Sequence, residues 1–132
     1  LACAIPEQVS AIISLAGQFR GDLDACSTST PVGVHHFHSE TDNEVPFNGR
    51  NSGSILSVES TIEHWRQKNG CGEIFDTMDH EGVTESSSGT ITAFYGSCDK
   101  TVALSKMKDV AHESDYMADK LHDIYGYLLK GE

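Results

Sequence analysis

Asp42 and His112 are the residues whose types and spacing could do chemistry. An aspartate just past a short apolar run and a histidine seventy positions later, ahead of an amphipathic C-terminal stretch, follow the chain order of the last two members of a Ser…Asp…His triad. In such a pair the carboxylate accepts a hydrogen bond from one imidazole nitrogen. The other nitrogen is left to take the proton of a hydroxyl nucleophile and pass it to the leaving group. No Gly-x-Ser-x-Gly stands in the 132 residues; the nearest pattern, Gly49-Arg50-Asn51-Ser52-Gly53, places its serine one position late. The expectation is therefore half of an enzyme, inactive alone, whose nucleophile and oxyanion donors come from a missing N-terminal segment or a partner chain.

A second cluster, His35, His36 and His38, lies just before Asp42. On a strand, alternation puts His36 and His38 on one face and His35 on the other, so only two imidazoles converge. That falls short of a zinc site, and no metal or other cofactor is expected; His38 is instead expected to support the acid loop by hydrogen bonding. A metal-binding protein using these histidines is the weaker reading. The acidic residues Glu73, Asp76, Asp79 and Glu81 lack the D-x-D-x-D-G pattern of a calcium loop and read as a solvated face.

These residues need elements to position them. Apolar runs at 9–15 and 32–38 predict strands, with a polar connection between them and a turn-rich loop at 39–43. Ser57 is placed to cap a helix reaching Asn69, with Gly70 as its stop, and Val58, Ile62 and Trp65 recur at helical spacing. Residues 72–89 read as an acidic, serine-rich connection. Alternation at 90–95 predicts a strand, with a weaker one at 102–107, and Met117, Leu121, Ile124, Tyr125 and Leu128 line a final helix capped by Ser114 and ended by Gly131. Strands separated by helices argue for an α/β protein, a mostly parallel sheet flanked by helices. With four strands, such a sheet keeps an open edge.

Length suits one domain over residues 1–132, and 38% hydrophobic content suits a buried core. A formal charge of −11 repels nucleic acid and anionic lipid, and no run is long and apolar enough to span a bilayer, so neither nucleic acid nor membrane is expected as a partner. Cys3, Cys26, Cys71 and Cys98 lack a C-x-x-C and fit two disulfides better than zinc or four buried thiols, with three pairings open. Disulfides imply a secreted or periplasmic protein.

Several stretches together resemble the secreted esterases of the polyhydroxybutyrate depolymerase and feruloyl esterase group, a branch of the α/β-hydrolase fold. Pro31 to Phe47, PVGVHHFHSETDNEVPF, is similar to that family's acid loop, where a strand leads into H-G-x-x-D-x-x-V-P-Y; His38, Asp42, Val45, Pro46 and Phe47 occupy the matching places. Leu1-Ala2-Cys3 with Val9 to Gly17, the helix Val58 to Trp65 with its Asn69-Gly70-Cys71 ending, and Tyr95 to Cys98 followed by Val102 to His112 resemble further segments. The chain departs from the pattern at Ser39, where the family has glycine, and around His112, where it has G-G-x-H-x-W-P. The resemblance implies the C-terminal half of an α/β-hydrolase, one partial domain over 1–132, with Asp42 as acid and His112 as base. It implies hydrolysis of a carboxylic ester of a small molecule or polymer. The alternative is a stand-alone, disulfide-stapled binding module without catalysis.

Overall fold

In a computed structural model of the chain, residues 1–19, 21–26, 30–80, 83–84, 89–112 and 115–123 are described. The apolar runs form β1 (Ala11–Leu15) and β2 (Gly33–Ser39), paired in parallel from Ala11↔Gly33 to Leu15↔Phe37. α1 (Val58–Lys68) follows the acid loop. Its cap is Ser57, whose hydroxyl accepts from the Ser60 N–H at 3.0 Å. At its other end Gly70, at φ +64°, takes the left-handed conformation that turns the chain away. The buried Asn69 then ties this end to the sheet, donating to the carbonyls of Val32 at 2.7 Å and Lys100 at 3.2 Å.

β3 (Ile74–His80), β4 (Thr90–Tyr95) and β5 (Val102–Met107) complete a five-stranded sheet in the order β1-β2-β5-β4-β3. β5 runs parallel to β2, with His38 beside Lys106 and Ser39 beside Met107, whereas β4 is antiparallel to β5 and β3 to β4. This corrects the predicted fold. The sheet is mixed, and the described residues form a small β-rich domain with few short helices rather than a helix-flanked, mostly parallel α/β-hydrolase sheet. Two features of the chain account for the difference. The segment read as an acidic connection contains β3, and the link from β4 to β5 is only residues 96–101. A parallel crossover needs about a dozen residues or more, so a link this short makes the pair antiparallel.

The core lies on both sides of the sheet. On one side α1 places Val58, Ile62 and Trp65 against Val34, Val102 and Leu104, as their helical spacing predicts. On the other, Phe37, Met107 and Val110 pack with Val83, Tyr116 and Leu121. Residues 118–123 are helical; the expected cap Ser114 and the helix beyond 123 lie outside the described residues. Disulfides join Cys3 to Cys26 and Cys71 to Cys98, the sequential pairing, closing loops that contribute about 3 kcal/mol each on the chain-entropy account.

Candidate active site

β2 ends in the acid loop, and alternation along it decides what reaches that loop. His36 and His38 stack in parallel on one face, with ring centroids 5.2 Å apart, while His35 stacks on Phe37 on the other at 4.4 Å. Past Ser39 the chain turns tightly. Asp42 is 4% exposed, not the solvated turn aspartate that sequence alone would allow. Its Oδ1 accepts from the backbone N–H of Glu44 at 2.9 Å and of Val45 at 2.8 Å, which fixes the carboxylate and orients Oδ2.

Oδ2 meets His112. The chain leaves β5 through Asp109, which adopts φ 59°, a left-handed conformation that aspartate tolerates. Val110 is buried against Phe37 and Met107, and its carbonyl accepts from both the Ser39 and Thr41 hydroxyls, the latter at 2.5 Å. This clamp joins the loop after β5 to the loop after β2. Two residues later His112 Nδ1 lies 2.7 Å from Asp42 Oδ2, with the carboxylate side chain fully buried and the imidazole 31% exposed. Nδ1–H therefore donates to Asp42, and Nε2 faces the surface, near the Glu44 carboxylate at 3.9 Å. Among the described residues no serine or threonine hydroxyl is bonded to Nε2, and all four cysteines are in disulfides.

The tautomers of the buried pair follow from their partners. His38 Nε2 is 2.7 Å from the Val45 carbonyl, an acceptor only, so that nitrogen carries the proton. His38 Nδ1 is then a bare acceptor, and His36 Nε2 donates to it at 3.1 Å. Burial, followed by the neighbouring His38 and His35, lowers the His36 pKa to about 3. Burial is also the main cause that lowers His38, working against the Val45 carbonyl and Asp42, which favour its protonated form. His38 contacts the acid loop through the Val45 carbonyl, and its Nε2 lies 3.5 Å from Asp42 Oδ2.

The other candidates stand elsewhere. His64 packs between Phe19 and Trp65, His122 is exposed in the 118–123 helix, and His80's side chain lies outside the described residues. Ser52 is exposed in a tight turn closed by the Arg50↔Ile55 bridge, which is not a strand-to-helix elbow. Among the described residues no three His, Cys, Asp or Glu side chains are grouped to hold a metal ion. Sequence reasoning missed the Ser39 and Thr41 clamp and the His36 to His38 bond. The only sequence signal for the clamp was Ser39 standing where the resembled family has glycine.

The arrangement has a buried, doubly fixed carboxylate, an imidazole held on it by one nitrogen, and the second nitrogen presented outward. Comparison of the chain with known protein families, with curated proteins and with solved structures finds no match, so the reading of this site rests on its own geometry.

Proposed function

We propose that Asp42 and His112 are the acid and base of a serine-type carboxylic ester hydrolase, with the nucleophile and oxyanion donors supplied from outside these 132 residues. The observation that carries this reading is the 2.7 Å bond from His112 Nδ1 to a fully buried Asp42 carboxylate, with Nε2 left toward the surface. Such a carboxylate sets the imidazole tautomer and stabilises the imidazolium formed when Nε2 removes the serine proton. The imidazolium then protonates the leaving alcohol, and in the second half-reaction Nε2 activates water against the acyl-enzyme. The acid-loop resemblance favours an ester of an aromatic acid or a polyester, and two disulfides favour secretion or a periplasmic location.

The test is p-nitrophenyl acetate turnover by the chain joined to, or mixed with, the segment that brings the serine. We expect no turnover by the 132 residues alone, turnover in the joined form, and its loss in His112→Ala. Activity that survives His112→Ala would reassign the base. A chain that never gains activity but binds a partner as a folded monomer would favour the non-catalytic module.

A further inference from the structure

We propose that His36 is a positioning residue for the Asp42–His112 pair: by donating its ring N–H to His38 Nδ1 it keeps His38 neutral and reserves the Asp42 carboxylate for His112. This deepens the acid–base reading of Asp42 and His112 and rests on it.

The geometry sets a competition. One carboxylate oxygen, Asp42 Oδ2, has two imidazoles near it, His112 Nδ1 at 2.7 Å and His38 Nε2 at 3.5 Å. While His38 is neutral its Nε2–H is committed to the Val45 carbonyl at 2.7 Å, and the short bond belongs to His112. A second proton on His38 could enter only at Nδ1, the one ring nitrogen without a hydrogen. The resulting cation would face Asp42 from inside the protein and rival His112 for its charge. His36 Nε2–H occupies that Nδ1 lone pair at 3.1 Å. The two rings, two residues apart on β2, are within 5° of parallel.

The surroundings leave His36 as the only side chain bonded to that nitrogen among the described residues. From β5, Lys106 lies in register with His38, and its ammonium is 5.5 Å from the ring of Phe47, which meets His38 edge-on. The acid loop presents Asp42 to His38, with Glu44 beyond His112; α1 brings Thr61 and Trp65 to the cavity that His36 lines, and His35 lies on the opposite face. Packing alone does not call for a histidine at 36. Val34, two residues back on the same face, fills its site with an aliphatic group. A buried imidazole costs desolvation that an aliphatic side chain does not, and what it adds is the N–H.

The test is histidine side-chain ¹⁵N–¹H correlation spectroscopy on the whole chain between pH 8 and 4. We expect His38 to hold its proton on Nε2 across this range, with the His112 Nδ1–H to Asp42 signal persisting. His36→Phe keeps a ring but removes the donor; His38 should then titrate at a midpoint raised by about one pH unit or more, with the His112 Nδ1–H signal changing in step. His36→Gln, which returns an N–H at similar reach, should restore the wild-type behaviour. A His38 that stays untitrated in a folded His36→Phe chain overturns the proposal. So does a wild-type His38 protonated on Nδ1, a result that stands even if the variants do not fold. None of these readouts is turnover, so an esterase assay indifferent to His112 would defeat the functional reading without touching the His36–His38 result.

Discussion

The two faces of β2 carry the same side chain to different ends. His35 and His36 are neighbours in sequence and nearly equally buried, at 3% and 1% exposure. His35 turns into the sheet. Its Nε2 is 2.6 Å from the Ser105 hydroxyl, which is itself 2.6 Å from Thr92 Oγ1, a polar rung across β2, β5 and β4. His36 turns toward the acid loop, where its bond to His38 leads on to Val45 and Asp42. One face stitches strands together; the other reaches a charged group. Burial and residue type are therefore poor guides to role here, and the direction in which a hydrogen-bond chain ends is a good one.

That contrast can be broken or sharpened by substitution. The largest effect is expected at the end of the chain of bonds. In a reconstituted enzyme Asp42→Asn should cut kcat by about 10³ to 10⁴-fold, because an amide favours the wrong His112 tautomer, while the urea midpoint shifts far less. Comparable activity in Asp42→Asn would detach the His36 face from catalysis altogether.

Next in size is the pH dependence of stability. The unfolded chain has histidines near 6.5, whereas the folded chain holds His36 down to about 3 and lowers His38 as well. Below pH 6.5 the unfolded state binds protons that the folded state refuses, so stability falls as pH falls toward about 3 and is fully present above 6.5. The loss should be on the order of a few kcal/mol, read from urea unfolding at each pH, and should shrink in His36→Phe. A pH-independent midpoint would mean that His36 is not held neutral.

His35→Gln should cost about 1–3 kcal/mol by weakening the rung to Ser105, yet leave the His112 Nδ1–H signal in place. A loss of that signal would show that the two faces are coupled. The smallest effect is expected for Ser39→Ala, about 1 kcal/mol, since Thr41 still holds the Val110 carbonyl. Greater solvent exchange of the His112 Nδ1–H in that variant would confirm that the clamp positions the base.

Part of this organisation was readable along the chain. The Ser57 cap, the Val58, Ile62 and Trp65 stripe, β2 and the opposed faces of His36 and His38 all follow from local rules of capping and periodicity. β3 did not. Its Asp76, Thr77, Met78 and Asp79 are exposed, as an edge strand allows, and its order comes from pairing with β4, which no local pattern in an acidic stretch reveals. Among the described residues the sheet is bounded by β1 on one side and β3 on the other, and β3 is the strand the sequence reading left out. The clamp on Val110 was equally hidden, because it joins residues about seventy positions apart.

The sequence by itself determined which atoms are on hand: two imidazoles on one face of β2, an acid just after that strand, and a histidine after β5. Those are consequences of residue identity and of periods of 2 and 3.6, which act over a few residues. Only the tertiary structure decided that Asp42 is buried and bonded to His112, which cysteines pair, and that the sheet is mixed. Each of those depends on bringing distant segments to within a few ångströms, where the hydrogen bonds of one loop select the conformation of the other.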